Sequence, residues 1–271
     1  MSIVLVAIAL IVAAIIGGQS LVKQSRLQKV VTEANNYKIA IKSFKLQYNN
    51  YMPGDFPNAW AYWKTGCADL GSGRDPALQD EFESGCNGNG NGILDGQGTN
   101  QSGYILAWRH LSLAGLIPDK FTISEDHEIA IGDCGHYGDY GGCPMQVIPG
   151  SKAFERRGWS VGHTSDSDFV WGGSIHGYVG HALIYGTHIC DGCWHYTGAS
   201  LSAQDAAYID KKTDDGMPTS GKVQADQGWD GWAQAGVARV CRSAPWPSAS
   251  PITYKTTETE PGCQVYFLLD Y

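Results

Sequence analysis

The chain has 271 residues, of which 35 are Gly and 17% are charged, a composition that excludes an intrinsically disordered or collagen-like protein. Its formal net charge of −8 is unevenly divided. Residues 1–51 carry six Lys/Arg and one Glu (+5), whereas residues 52–271 carry thirteen Lys/Arg and twenty-six Asp/Glu (−13). The acidic second part argues against nucleic acid as the main partner, because phosphate binding requires a basic surface.

The first predicted element is an apolar helix. No charged residue occurs from Met1 to Val22, and apolar side chains surround the whole circumference of the helix. Twenty-two residues can cross a bilayer core of about 30 Å, so we predict a membrane-spanning segment over residues 1–25. A secretory signal peptide is the alternative. It fits less well, because no basic segment precedes the apolar run and no small-residue cleavage site follows it.

The same helix is predicted to continue as an amphipathic segment over residues 26–51. Apolar side chains recur there at intervals of three and four residues, with Lys and Glu between them. The apolar positions are Val30, Val31, Ala34, Tyr37, Ile41, Phe44 and Tyr48. We therefore divide the chain into a long helix over residues 1–51 and one globular domain over residues 52–271.

The globular domain is predicted to mix helices and strands. Helices are expected near residues 103–115 and after Ser202, which has the character of an N-cap with Asp205 three residues later. Strands are expected around residues 157–162, 168–171, 181–189, 193–197, 236–241 and 263–269. The predicted fold class is α+β, with an antiparallel sheet packed on the second half of the long helix.

The N-terminal region resembles a known family in three features. They are the apolar run from Ser2 to Leu21, the amphipathic segment after it, and the sequence from Asn49 to Ala59, NNYMPGDFPNA. Together they resemble the N-terminal module of type IV pilins and type II secretion pseudopilins. Three later segments are similar to the globular parts of large prepilin-type proteins, and all matching stretches cover less than half of the chain. The later segments are residues 86–92, 108–118 and 201–221.

This resemblance implies a pilin fold, in which the long N-terminal helix packs on a disulfide-rich globular domain with an antiparallel β-sheet. A pilin-like subunit is cut by a prepilin peptidase and held in the bacterial inner membrane. The pilus or secretion assembly machinery then polymerises it with copies of itself into an extracellular or periplasmic filament. The side chains expected in the filament core are Ile3, Val4, Val6, Ile8, Leu10, Ile11, Ile15 and Leu21.

Two departures from the family pattern occur in the long helix. Pilins begin with an aromatic residue followed by a Glu, and by alignment that Glu would fall immediately before Met1. Either the chain is trimmed there, which we expect, or the subunit lacks the family Glu. In addition, Gly17 stands where pilins often carry a helix-kinking Pro. We hypothesise that Gly17 and Gly18 let this segment lose helical structure inside a filament.

Eight cysteines fall into four neighbouring couples. In an extracytoplasmic protein the simplest of the 105 pairings joins Cys67 to Cys86, Cys134 to Cys143, Cys190 to Cys193, and Cys241 to Cys263. Cys190-Asp191-Gly192-Cys193 also has the spacing of a redox pair, but its Asp-Gly favours a hairpin turn. No haem cofactor is expected, because Trp194 separates the second cysteine from His195.

The segment from Asn87 to Asp95 has the rhythm of a Ca²⁺ loop, with oxygen side chains at alternate positions and Gly at the sixth. The candidate ligand positions are Asn87, Asn89, Asn91, Ile93 and Asp95. Position twelve is Gly98 rather than Glu, so Glu83 or another distant carboxylate would have to complete the site. The alternative is a glycine-asparagine loop that binds no ion. Asp214-Asp215-Gly216 is predicted to be a turn rather than a second cation site.

The sequence contains no recognised nucleophile elbow, zinc-protease motif or phosphate loop, so we predict that the protein is not an enzyme. His181, His188 and His195 recur every seven residues, but among turn-like residues, and we interpret the spacing as accidental. The nine Trp and fourteen Tyr are predicted in the core or a subunit interface, with ligand stacking and charge transport as alternatives. The alternative function is a single-pass membrane-anchored ligand-binding module that does not polymerise.

Overall fold

In the computed structural model, nine stretches of the chain are described. They are residues 2–64, 87–94, 103–119, 149–164, 178–187, 198–227, 241–244, 248 and 251–269. The helices within these stretches are α1 (Ser2–Gln47), α2 (Ala59–Trp63), α3 (Gly103–Leu113) and α4 (Ala203–Thr213). The strands are β1 (Arg157–Thr164), β2 (Gly180–Thr187), β3 (Leu201–Ser202), β4 (Val223–Gln227) and β5 (Pro261–Leu269).

Helix α1 is continuous over 46 residues and passes through Gly17 and Gly18 without a break. It ends at Gln47 rather than near residue 51, because Asn49 and Asn50 have positive φ angles of 50° and 67°. Asn tolerates this left-handed conformation better than other non-glycine residues, and the conformation cannot continue a right-handed helix.

All strand pairings in the described sheet are antiparallel, and β5 lies at its centre. Val265 of β5 pairs with Tyr185 of β2 on one side and with Ala225 of β4 on the other. Strand β3 pairs with the first residues of β5, and β1 pairs with the outer edge of β2 along its whole length. The antiparallel sheet and the long apolar helix confirm the predicted α+β class.

The second half of α1 packs into the main hydrophobic core together with α3, α4 and one face of the sheet. Its buried side chains lie 0% to 9% exposed and follow the predicted stripe, except that Tyr48 is only partly buried. The buried positions are Leu27, Val30, Val31, Ala34, Tyr37, Ala40, Ile41 and Phe44. The amphipathic pattern therefore predicted the face of α1 that the globular body covers.

The predicted strands at 157–162, 181–189 and 263–269 correspond to β1, β2 and β5, and both predicted helices are present as α3 and α4. Ser202 caps α4 as expected, since its Oγ accepts a hydrogen bond of 3.2 Å from the Asp205 backbone N–H. The predictions at 168–171 and 193–197, and at 236–240, lie outside the described residues. Helix α2 and strands β3 and β4 were not predicted.

Candidate assembly and binding surfaces

The first half of α1 presents an apolar surface that nothing in the described structure covers. Its large hydrophobic side chains are 48% to 68% exposed. They include seven of the eight predicted filament-core residues, and the side chain of Ile3 lies outside the description. The seven are Val4, Val6, Ile8, Leu10, Ile11, Ile15 and Leu21.

By length and composition, α1 is the one described helix that could cross a membrane, and its most apolar window is not buried. A signal sequence passes the same test. Water is a poor solvent for such a surface, since each exposed methylene leaves about 0.8 kcal/mol of burial free energy unused. The first half of α1 is thus suited to lipid or to other apolar helices.

The second half of α1 is held to the body by Glu33. Its carboxylate accepts hydrogen bonds from the Trp159 indole N–H at 2.9 Å, the Ser151 hydroxyl at 2.8 Å and the Lys152 backbone N–H at 2.8 Å. Trp159 lies in β1 and is completely buried. Glu33 therefore fixes the rotation of α1 against the sheet. The sequence pattern placed Glu33 merely between apolar positions and gave it no role.

Two large apolar side chains on the second half of α1 point away from the core. Ile39 is 64% exposed and Leu46 is 80% exposed, and they lie seven residues apart on one side of the helix. An exposed pair of this kind extends the uncovered apolar surface of α1 beyond the membrane-length segment.

The glycine-asparagine loop wraps around a carboxylate of the neighbouring turn. Asp55 accepts hydrogen bonds from the backbone N–H groups of Asn91 at 3.1 Å and Gly92 at 2.8 Å. The approach is so close that a Cβ on Gly88 would lie 2.2 Å from the Asp55 carbonyl carbon. Only glycine is compatible with that contact, so this loop is shaped by Asp55.

The candidate Ca²⁺ positions are only partly brought together. The side-chain oxygens of Asn87, Asn89 and Asn91 accept backbone N–H groups of Trp60, Asn91 and Ile93, respectively, at 2.8 to 3.1 Å. Asp95 and Glu83 lie outside the described residues. The amide oxygens already stabilise the loop conformation, and Ca²⁺ binding stays a prediction.

Of the four predicted disulfides, the Cys241–Cys263 bond is formed, with an S–S distance of 2.01 Å and a Cα–Cα distance of 4.9 Å. It joins the residue after an undescribed segment to β5. Both cysteines of each of the other three predicted pairs lie outside the described residues, so these pairings stay predictions: Cys67–Cys86, Cys134–Cys143 and Cys190–Cys193.

Three acidic side chains meet at the C-terminal end of α4. Carboxylate oxygens of Asp210, Asp214 and Asp215 lie within 4.8 Å of one another. Asp210 is fully buried and accepts hydrogen bonds from the Tyr254 hydroxyl at 2.8 Å and the Gly216 backbone N–H at 3.0 Å. Burial raises the pKa of Asp210 to about 7, although these two hydrogen bonds oppose the rise.

The other two carboxylates hold the turn that the sequence predicted here. Asp214 accepts from the backbone N–H groups of Lys222 and Val223, and Asp215 accepts from the Ser220 hydroxyl at 2.6 Å. All three acidic groups therefore have protein partners that explain their positions.

Two histidines form a second pair of close titratable groups. The rings of His163 and His181 lie 4.9 Å apart, and His181 Nε2 accepts a hydrogen bond from the Leu94 backbone N–H. Burial, then His163 and Lys45, lower the pKa of His181 to about 4. The neutral His181 connects the glycine-asparagine loop to the sheet, and His188 and His195 lie outside the described residues.

No protein-family model matches this chain, and no curated protein or solved structure matches it either.

Proposed function

We propose that this protein is a structural subunit of a type IV pilus or pseudopilus-like filament, with a pilin fold and no enzymatic activity. The observation that carries the proposal is the division of α1 into an exposed apolar half and a half buried in the globular body. The resemblance of residues 1–59 to prepilin-type proteins supports the same function.

In this proposal the first half of α1 is solvated by lipid before assembly and by the same helix of other subunits afterwards. A helix satisfies its own backbone hydrogen bonds, so it is stable in either apolar surrounding. Contacts between unlike surfaces of successive copies do not close into a ring and generate an open helical filament. Ile39 and Leu46 provide further apolar contact area where the subunits would lie side by side.

The test places one charge in each half of α1. Val12→Asp puts a carboxylate in the middle of the exposed apolar segment, where insertion into lipid costs about 3 kcal/mol. Asn36→Asp, at an exposed position of the second half, adds the same charge and serves as the matched control. Filaments sheared from cells are examined by electron microscopy and their subunits by gel electrophoresis.

We expect filaments composed mainly of the wild-type chain and of the Asn36→Asp variant, and none of the Val12→Asp variant. The melting temperature of the globular body should be the same in all three. If the wild-type chain stays in the membrane fraction as a monomer, the filament proposal is wrong and the anchored ligand-binding module is favoured.

Processing provides a second test of the proposal. A prepilin peptidase would leave a methylated aromatic residue at the mature N-terminus, upstream of Met1 in the present numbering. Mass spectrometry of the protein purified from its native membrane measures that terminus directly. An unmodified Met1 at the mature N-terminus would contradict the pilin pathway.

A further inference from the structure

A groove of about 680 Å³ lies between the middle of α1 and the adjacent part of the globular body. Its end near Ile15 is called the lower part, and its end near Arg26 the upper part. The α1 wall consists of Ile15, Gly18, Gln19, Val22, Lys23 and Arg26. These positions are three, four and seven residues apart, so they form one face of the helix. The opposite wall comes from the residues around Phe154 and Arg157, from the β3–α4 junction and from the start of β5.

The chemistry of the α1 wall changes along its length. Its lower part, from Ile15 to Val22, carries no charge, whereas Lys23 and Arg26 are the first charged residues of the chain. At 1.5 Å per residue, the step from Ile15 to Arg26 covers about 16 Å. The groove therefore extends from the apolar segment into the zone where a membrane surface would lie.

Positive charge is concentrated at the upper part of the groove. The guanidinium groups of Arg26 and Arg157 lie 5.9 Å and 4.6 Å from the centre of the Phe154 ring. Within the described structure, neither guanidinium forms an ion pair with a carboxylate. Lys23, by contrast, forms an ion pair with Asp205, with 2.8 Å between Nζ and Oδ1. The groove thus carries two arginines without an acidic partner in the described residues, beside apolar walls.

We propose that this groove binds one anionic phospholipid of the membrane in which α1 is embedded. Arg26 and Arg157 bind the lipid phosphate, and the acyl chains lie against Ile15 and Val22. Guanidinium groups bind phosphate with paired, charge-assisted hydrogen bonds, and the uncharged part of the groove matches the acyl region. The depth of the groove along α1 favours a lipid over a soluble phosphate compound.

This inference rests on the membrane insertion of α1 and adds a ligand to the subunit before assembly. A second copy of the chain is a weaker candidate for the groove. The first half of α1 from a second copy could fill the apolar part of the groove, but that segment carries no acidic residue for the two arginines. The phospholipid supplies both the charge and the apolar surface.

The experiment measures lipid retention by the full chain. The protein is reconstituted into nanodiscs with equal amounts of phosphatidylglycerol and phosphatidylcholine, and retained lipids are counted by native mass spectrometry. The test variant is Arg26→Gln/Arg157→Gln. The control is Lys29→Gln/Arg156→Gln, which removes the same charge from two exposed residues outside the groove. A third variant, Arg26→Lys/Arg157→Lys, retains the charge.

We expect the wild-type chain to retain one phosphatidylglycerol with about tenfold preference over phosphatidylcholine. The control and the lysine variant should keep most of this preference, and the glutamine variant should lose it. Melting temperatures verify that every variant is folded.

Four outcomes would overturn the inference. They are no phosphatidylglycerol preference in the wild-type chain, equal loss in the test and control variants, displacement by millimolar inorganic phosphate, and a dimer without retained lipid. The wild-type measurement requires no variant to fold. Filaments are scored with the same variants in cells, so loss of lipid selectivity and loss of assembly are recorded separately.

Discussion

The two halves of α1 differ both in their sequence pattern and in their surroundings. From Val4 to Val22 the large apolar side chains are about half exposed or more, whereas eight residues from Leu27 to Phe44 are 9% exposed or less. The difference follows from the lack of charged residues in the first half and from the spacing of the apolar residues in the second half. In the first half apolar residues occupy the whole circumference, while in the second half they form one stripe.

An apolar stripe on one side of a helix can be covered by a single sheet, and the globular body provides that sheet. A helix that is apolar all round cannot be covered by a single neighbour, so it needs an apolar solvent or a ring of other helices. One continuous helix thus contains a segment that belongs to the body and a segment suited to an apolar surrounding. Four predictions test how independent these segments are.

The largest loss of unfolding free energy is expected when the buried aromatic side chain of Phe44 is truncated. Phe44 is fully buried and lies 4.4 to 6.2 Å, between ring centroids, from Tyr48, Phe56, Trp63 and His110. Phe44→Ala should lower the free energy of unfolding by about 4 kcal/mol, measured by urea denaturation of the full chain in detergent. Ile11→Ala, in the exposed half, should leave it unchanged. A similar loss for both variants would contradict the separation of the two halves.

Detaching the second half of α1 should have the next largest effect. Glu33→Ala removes three hydrogen bonds and leaves the buried Trp159 indole N–H without this acceptor, so we expect a loss of about 3 kcal/mol. Lys42→Ala, at an exposed position of the same helix, should change the unfolding free energy by less than about 0.5 kcal/mol. If the two variants unfold alike, Glu33 does not fasten the helix to the sheet.

The two segments should also differ in their response to pH, because residues 2–22 contain no ionisable side chain, whereas in the body burial shifts the pKa values of Asp210 and His181 in opposite directions. The pKa of Asp210 is raised from 3.8 to about 7, so its contribution to stability is full below pH 3.8 and is lost as pH rises through about 7. The pKa of His181 is lowered from 6.5 to about 4, so its contribution is full above pH 6.5 and is lost as pH falls through about 4.

Between pH 4 and 6.5 these two contributions nearly cancel. Asp210→Asn removes the contribution of Asp210, while the Asn side-chain amide can still form hydrogen bonds to Gly216 and Tyr254. From pH 4 to pH 6.5 the unfolding free energy of this variant should therefore rise by about 2 kcal/mol more than that of the wild-type chain. Urea denaturation at several pH values measures both, and parallel curves would show that Asp210 is not the opposing group.

The smallest effect is expected at the glycine pair. A Cβ on Gly17 or Gly18 would meet no atom within 4 Å, so alanine fits at both positions. Each Gly→Ala change should stabilise the local helix by about 1 kcal/mol and slow amide exchange around residues 15–20 about fivefold. The reverse pair, Ala13→Gly/Ala14→Gly, should accelerate exchange nearby. Unchanged exchange in both variants would remove the hypothesis that Gly17 and Gly18 soften α1.

The elements that the sequence predicted have a strong local pattern. The stripe on α1, the Ser202 cap and the apolar runs of β1, β2 and β5 are all visible within a window of about ten residues. Strand β4 was missed because Gln224 and Asp226 are polar yet almost fully buried. Asp226 is compensated by Arg242, sixteen residues away, and no local pattern reveals such a pair.

The candidate surfaces were predictable to different extents. The exposed apolar half of α1 followed from composition alone. The roles of Glu33 and Asp55 could not be predicted, because their partners lie 118 to 126 and 36 to 37 residues later in the chain. The two arginines of the groove are likewise separated by more than one hundred residues. Only the packing of α1 on the body brings both guanidinium groups close to the Phe154 ring.

The position of β5 determines when the body can fold. This strand follows the other four in the chain, yet β2, β3 and β4 all pair with it. During synthesis, the described sheet cannot close until residues 261–269 have emerged. Until then the apolar stripe on the second half of α1 is not covered by the complete sheet, although the first half of the helix has already been synthesised. The long helix can therefore form before the body folds, so in the proposed membrane-anchored subunit the body would fold beside the bilayer.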